Sequence, residues 1–162
     1  MSRKIAAMIG LGVVVVLLAV ANLFLREWPL PKNAEYSLRT RVMVAAPGLE
    51  GEYADNLETI SFGHGSFRYS STWMANGQIE RLSVEGNVLP LWRNYGYMTI
   101  NKREATGGLV DLLKSLRIPL ALQRQLELSV GSSSYVKLLG GAGSGMCFYH
   151  YDSNNLFCFE LR

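Results

Sequence analysis

The two cysteines, Cys147 and Cys158, are the residues whose type and spacing most directly indicate chemistry. They lie in two apolar segments on either side of Asp152-Ser153. A hairpin turn centred on that pair places the cysteines directly opposite each other, with Cα atoms ~4.5–5.5 Å apart, which is within reach of a disulfide. The sequence has no Cys-x-x-Cys pair, so a redox role is the weaker alternative, and we predict a structural disulfide in an oxidising compartment.

The two histidines, His64 and His150, are the candidate pH sensors. His64 lies between glycines in a predicted turn, and we expect it to be exposed. His150 lies among aromatic residues in a predicted strand, where alternate side chains face the interior. A buried neutral imidazole must become charged at mildly acidic pH, which would open the strand pair. Ordinary packing or exposure without a switching role is the alternative.

The remaining polar residues do not predict an enzyme. Two histidines cannot form a zinc cluster, and no serine lies in a nucleophile elbow. The glycine-rich run Gly140–Gly145 lacks the Lys-Ser/Thr ending of a phosphate loop. Four carboxylates between Glu50 and Glu58 lack the spacing of a calcium loop, and we interpret them as a solvated loop. We therefore expect a protein that binds another molecule, with no metal and no cofactor.

The segment that must position the rest of the chain is Ile5–Leu25, which is 21 residues long and has no charged residue. A helix of that length spans ~31 Å, about the hydrocarbon thickness of a bilayer. Arg3 and Lys4 precede it, so the positive-inside bias predicts a cytoplasmic N-terminus and an exported remainder. We expect a cytoplasmic tail at residues 1–4 and a transmembrane helix at 5–25.

A cleaved secretory signal peptide is the alternative interpretation of this segment. Ala19-Val20-Ala21 fits the small-x-small cleavage pattern. The apolar run continues as far as Leu25, however, where a signal peptide would already be polar. Within the predicted span, Ala6 and Gly10 form a small-xxx-small pair that would allow close packing against a partner helix.

Residues 26–33 form a short predicted linker, and residues 34–162 are long enough for one compact domain. Trp28 is typical of the headgroup boundary, while Pro29 and Pro31 favour an extended spacer. The net charge of +3 comes from the N-terminal part of the chain, because residues 33–162 carry 12 basic and 12 acidic side chains. The exported domain thus has no global basic footprint for direct nucleic-acid binding.

Most of the exported domain has the pattern of β-strands. About eight short segments alternate or are apolar, and Asn76-Gly77 is a strong two-residue hairpin signal. Glu85-Gly86-Asn87 is interpreted as another turn, and Pro90 as the mark of an edge strand or a bulge. The residues therefore predict an antiparallel α+β domain, either a curled sheet or a small barrel.

The hydrophobic period changes to that of a helix after Thr106. Leu109, Leu112, Leu113 and Leu116 form one apolar stripe, and Thr106 is a candidate N-cap. Pro119 predicts the first turn of a second short helix. The sheet should therefore have a helical insertion that packs against it.

The layout of a four-residue tail, one apolar span, about 130 exported residues and the Cys147/Cys158 hairpin resembles the MyfF/PsaF accessory proteins of Yersinia fimbrial operons. In architecture it is also similar to the ToxS group. The resemblance covers the whole chain, including its MSRK start, but includes no short diagnostic motif. It implies an inner-membrane partner of a membrane-bound winged-helix transcription activator, which stabilises the activator's periplasmic domain and protects it from proteolysis.

The ToxS-like architecture further implies a lipocalin-like barrel that a partner can complete and that can accept a small apolar ligand such as a bile salt. With only four cytoplasmic residues, such a chain would act on transcription solely through another spanning protein. A structural or assembly component of an envelope secretion or pilus complex is the competing class. A tethered periplasmic hydrolase is a weaker third.

Overall fold

The computed structural model describes residues 3–25, 34–44, 53–91, 94–118, 121, 127–140 and 145–162, with side chains of the first segment described over 8–21. Two helices and eight strands have clear bounds within these ranges. The elements are α1 (Arg3–Leu25), β1 (Glu35–Met43), β2 (Tyr53–Phe62), β3 (Ser66–Ala75), β4 (Gln78–Pro90), β5 (Tyr95–Ala105), α2 (Leu109–Ser115), β6 (Ser133–Leu139), β7 (Gly145–His150) and β8 (Asn155–Leu161).

The eight strands form a closed antiparallel barrel in which each strand pairs with its neighbours in chain order. Seven of the eight contacts are between consecutive strands, and β1 pairs with β8 to close the ring. The closing contact is short, because only Tyr36 with Leu161 and Ser37 with Glu160 are in register. The predicted mainly antiparallel fold is confirmed, and of the two architectures left open by the sequence it is the barrel that forms.

The period-two pattern of the strands builds the core. On β3, Phe67, Tyr69, Ser71, Trp73 and Ala75 are buried, whereas the residues that alternate with them are more exposed. Because alternate side chains of a strand point to opposite faces, this pattern fills the barrel interior and leaves the outer face of β3 mostly polar. One hydrophobic cluster joins the apolar residues of this set to the buried leucines of α2.

The Asn76-Gly77 hairpin forms as predicted. Ala75 pairs with Gln78, and Asn76 and Gly77 have φ angles of 52° and 73°. Positive φ at both central positions is what a two-residue turn of the I′ type requires, and Asn-Gly adopts it at low cost.

The predicted turn at Glu85-Gly86-Asn87 is wrong. β4 runs unbroken from Gln78 to Pro90, with a register shift between Glu85 and Gly86. A Cβ at Gly86 would collide with the Phe67 ring and the Thr99 carbonyl, so this glycine permits close packing across the bulge. Pro90 does not mark an edge strand, because β4 is paired on both sides, with β3 and β5, but its strand does carry a bulge, which was the other predicted alternative.

The predicted loop before β2 is too long. β2 begins at Tyr53, and Asp55 pairs across the ladder with Arg41, which hydrogen-bonds it at 2.9 Å. These hydrogen bonds hold the pKa of Asp55 below its ordinary value. The cluster of carboxylates suggested a loop, so the start of the strand was not predicted. Asp55 belongs to the strand all the same, because its side chain faces outwards and pairs with Arg41 across the ladder.

The predicted stripe of four leucines is confirmed as the buried face of α2 and its end. Leu109, Leu112, Leu113 and Leu116 are at most 4% exposed, and α2 packs against β4. The predicted N-cap is wrong, because Gly108 occupies that position without a side-chain cap. The Thr106 hydroxyl instead accepts a hydrogen bond from the Arg81 amide at 2.8 Å. Most of the second helix predicted after Pro119 lies outside the described residues.

The described side chains of α1 are apolar and exposed. Met8, Leu11, Val16 and Leu18 are between 60% and 75% exposed. Over the residues whose placement is described, no helix is both long and apolar enough to cross a membrane. The predicted helix-packing pair, Ala6 and Gly10, lies in α1. A Cβ atom at Gly10 would have no other atom within 4 Å, and the side chain of Ala6 lies outside the described residues.

Candidate functional site: a barrel cavity and an open strand edge

A cavity of about 180 Å³ lies inside the barrel. Its walls are apolar side chains that face inwards from five strands. Phe148 is one of them, with its ring stacked on Phe159 at 5.5 Å and tilted against Phe157 at 5.3 Å between ring centres. The apolar lining residues are Ile60, Phe67, Tyr69, Met98, Ile100, Leu128, Phe148, Phe157 and Phe159. Such a space favours an apolar occupant.

Polar groups line the cavity at one end, from the segment before β6 and the start of β6, and from the end of β7 and the β7–β8 turn. They are Glu127, Ser132, Ser133, Ser134, His150, Asp152 and Ser153. A predominantly apolar wall with a few polar groups at one end is the usual composition of a small-molecule site, in which the polar groups orient the ligand.

The candidate pH sensor His150 is one of these polar groups. It is half-buried at the end of β7, and the Oγ of Ser153 lies 2.9 Å from its Nδ1. The Ser153 amide also donates to Nδ1, at 3.4 Å. Protonation of Nδ1 would remove its ability to accept these bonds, so the imidazole is coupled to the β7–β8 turn. A switching role remains a prediction.

The other candidate sensor, His64, is exposed in the β2–β3 turn, as the sequence predicted. That turn is closed by a hydrogen bond from the Gly63 amide to the Ser66 carbonyl at 2.9 Å. His64 and His150 are not brought together in one site, since His64 lies in the turn after β2 and His150 is the last residue of β7.

The predicted disulfide is confirmed. Cys147 and Cys158 are directly opposed in the β7–β8 register, and their sulfur atoms are bonded at 2.11 Å. Cys158 is exposed, and the alternate residues Met146, Phe148 and Phe159 are buried. The bond therefore lies on the outer face of the barrel and fixes the register of the hairpin that carries His150.

A buried polar cluster in the barrel was not expected from the sequence. Asn56, Glu58 and Ser71 are 2%, 3% and 1% exposed. The Asn56 amide donates to Glu58 Oε1 at 2.7 Å, and the Ser71 hydroxyl donates to Asn56 Oδ1 at 2.9 Å. These bonds satisfy polar groups that would be costly to bury alone, and they connect β2 to β3 inside the core.

The seam between β1 and β8 is the other feature with a functional geometry. Beyond Ser37, the described residues of β1 pair with β2 alone, and β8 before Glu160 pairs with β7 alone. The two strands thus present unpaired edges where the barrel closes. Unpaired strand edges are templates for pairing with a strand from another chain.

No protein-family model matches the chain, and a search of curated proteins finds no match. The argument for function therefore depends on the cavity, the seam and the resemblance in layout.

Sequence reasoning identified the disulfide and His150 but missed the cavity, the seam and the buried cluster. Asn56 and Glu58 alternate with Leu57, so the strand pattern alone favours Leu57 as the inward residue, whereas it is only half-buried. The sequence does contain a signal for which side chains face inwards. Ile60 and Phe62 are apolar and lie on the same face of β2 as Glu58.

Proposed function

We propose that this chain is an inner-membrane accessory protein whose exported barrel binds and stabilises the periplasmic domain of a membrane-bound winged-helix transcription activator. Binding of the folded activator would lower its unfolded, protease-sensitive fraction. The observation that carries the proposal is the short barrel seam, in which β1 and β8 pair through Tyr36 with Leu161 and Ser37 with Glu160 and, among the described residues, meet again only where Glu35 contacts Arg162. The resemblance to accessory proteins of fimbrial operons supplies the class of partner.

The seam offers hydrogen-bonding groups in a defined order. The Arg162 backbone amide donates to the Glu35 backbone carbonyl at 3.0 Å, so the backbone N–H and C=O groups of Glu35 point towards β8. Because successive residues of a strand direct their backbone groups to opposite edges, those of Arg39, Arg41 and Met43 also point to the β8 side. A strand from the partner would pair with these groups and complete the barrel.

A proline on this edge tests the proposal. Arg39→Pro removes one amide donor from the open edge, while the β1–β2 hydrogen bonds use the intervening residues. We expect tagged full-length protein from solubilised membranes to retain the activator, and to lose it with Arg39→Pro. Arg39→Ala is the matched control, because it removes the same side chain and keeps the donor. Equal retention by the two variants would contradict strand addition.

We also propose that α1 anchors the barrel in the membrane. The support is the uncharged run Ile5–Leu25 after Arg3 and Lys4, together with the exposure of its apolar side chains in the described part. A periplasm-dependent reporter fused after Arg162 should be active, and the protein should resist carbonate extraction. Release of a mature chain beginning at Asn22 would show that the segment is a cleaved signal peptide.

A second candidate function, the sensing of a small apolar ligand, is favoured by the cavity. A volume of about 180 Å³ is comparable with a ~150 Å³ protein cavity that holds benzene, and smaller than the ~300–1,000 Å³ typical of drug-sized sites. A bile salt would require the barrel to widen, whereas a small aromatic molecule of one or two fused rings would not.

Indole is therefore the appropriate probe for the cavity. Titration of indole into the full-length protein, monitored by calorimetry, should show one saturable site that Phe148→Trp fills and abolishes. Leu89→Trp, which introduces the same side chain at an exposed position, is the control. Unchanged indole binding in the Phe148→Trp variant would exclude the cavity as the site.

A further inference from the structure

The outer wall of the barrel carries a continuous apolar surface across five strands, which we call the tyrosine face. One row crosses the sheet through residues in register on β4, β5 and β6 and ends in the β7–β8 turn. A second, adjacent row crosses β5 to β8. The first row is Leu89, Tyr97, Tyr135 and Tyr151, and the second is Tyr95, Lys137, Tyr149 and Leu156.

The size of this surface is that of a functional patch. Leu89, Tyr135, Tyr151 and Leu156 are between 43% and 59% exposed. At ~4.8 Å between strands and two rows along each strand, the tyrosine face measures roughly 20 by 14 Å, or about 300 Å². Exposed apolar patches of that size mark interaction sites, and their area matches the central part of a protein interface rather than a whole one.

The tyrosine rings are held in place before any partner arrives. Tyr97 and Tyr135 lie 5.0 Å apart, and Tyr149 and Tyr151 meet edge to face at 4.9 Å. The Tyr97 hydroxyl donates to Ser133 Oγ at 2.6 Å. Because this hydroxyl is already hydrogen-bonded within the barrel, it is the ring surface of Tyr97 that remains available for contact with a partner. Rigid aromatic residues with few torsions to lose are efficient anchors for a protein partner.

The charge of the tyrosine face indicates which kind of partner surface can bind it. Lys137 is the one charged residue in the two rows, and its Nζ lies 5.3 Å from the centre of the Tyr95 ring. Among the described residues it forms no ion pair. A second copy of this chain would bring another lysine-bearing apolar face with no carboxylate in its rows, which would leave Lys137 without a counter-charge. A partner with a carboxylate inside an apolar surface would complement it.

We propose that the tyrosine face is a second docking surface, occupied by the periplasmic domain of the activator through an apolar surface that places a carboxylate against Lys137. This inference rests on the proposed function for the identity of the partner. The two surfaces share β8, through Leu156, but the strand-addition test acts on β1, which does not belong to the tyrosine face.

Site-specific photocrosslinking in intact membranes tests this contact. p-Benzoylphenylalanine replaces Tyr135 in the full chain, and in the control it replaces Ile79, which lies on β4 beside the β3–β4 turn and belongs neither to the tyrosine face nor to the seam. The two positions are similarly exposed, at 53% and 59%. The Tyr135 position should give an adduct with the activator, mapped by mass spectrometry to an apolar segment that contains Asp or Glu. The Ile79 position should give at least tenfold less.

A charge exchange completes the test. Lys137→Glu should reduce the adduct at least tenfold, and replacing the mapped carboxylate of the activator by Lys should restore it. Adducts with lipid, with a second copy or with another protein, equal yields at the two positions, or no effect of Lys137→Glu would each overturn the proposal. If the unmodified chain still retains the activator while Tyr135 gives no adduct, the tyrosine-face proposal fails and the proposed function stands. If the unmodified chain retains no activator, both fail.

Discussion

Removal of the Cys147–Cys158 disulfide is the perturbation with the clearest expected magnitude. The bond closes a loop with a sequence separation of 11 residues. In the chain-entropy model, a loop of that length restricts the unfolded chain by ~9 cal/mol/K, or ~2.8 kcal/mol at 25 °C. Because the cysteines face outwards, replacing both by serine should leave the core packing intact, and we expect a loss of about 2–3 kcal/mol in the free energy of unfolding.

The assay is urea unfolding of the full-length protein in detergent, followed by circular dichroism. With a slope of ~1–3 kcal/mol per molar urea, the unfolding midpoint should fall by about 1–3 M in Cys147→Ser/Cys158→Ser. The control is the native protein with and without dithiothreitol. The reduced native protein should unfold at the midpoint of the double variant, and the oxidised form above it.

Two results would refute this reasoning. If the oxidised native protein and the double variant unfold within ~0.5 kcal/mol of each other, the disulfide does not restrict the unfolded chain as assumed. If the free energy of unfolding of the variant falls by much more than ~3 kcal/mol, the bond also supports the packing of the folded state, although it lies on the outer face.

Further predictions concern the bulge, the buried cluster and the effects of acid. Gly86→Ala should lower the unfolding free energy by about 1–3 kcal/mol, since the new Cβ meets neighbouring atoms; a neutral result in urea unfolding would contradict it. Asn56→Ala should cost about 1–3 kcal/mol in the same assay, because it leaves buried partners without their hydrogen bonds. Arg41 lowers the pKa of Asp55, so their pairing should stabilise the protein at neutral pH and fade as pH falls through that lowered pKa, and Asp55→Asn should flatten the acid limb of a stability–pH profile. His150→Gln should flatten the change in activator retention between pH 7.5 and 5.5, and an unchanged profile would remove His150 as the sensor.

Local sequence signals predicted the parts of the fold that depend on near neighbours. The Asn76-Gly77 turn, the α2 leucines and the Cys147–Cys158 register each follow from a dozen residues or fewer. The structure agrees with all three because turn chemistry and hydrophobic period act over that range.

The missed features depend on contacts between distant parts of the chain. Gly86 looks like a turn residue until Phe67 and Thr99 are placed against it. The β1–β8 seam joins residues more than 120 positions apart, and no local pattern specifies how far the pairing extends. The tyrosine face likewise requires the register of five strands, since its tyrosines lie between positions 95 and 151.

The measurement that tests the central claim most directly is the half-life of the activator in cells with and without this protein. If binding stabilises the folded activator, a local concentration ~100 times Kd should lower its unfolded fraction about 100-fold, equivalent to ~2.7 kcal/mol. Pulse–chase labelling should then show a several-fold longer half-life when this protein is present, with Arg39→Ala preserving the effect and Arg39→Pro abolishing it. Equal half-lives in its presence and absence, at both neutral and mildly acidic pH, would contradict the account and favour a component of an envelope assembly instead.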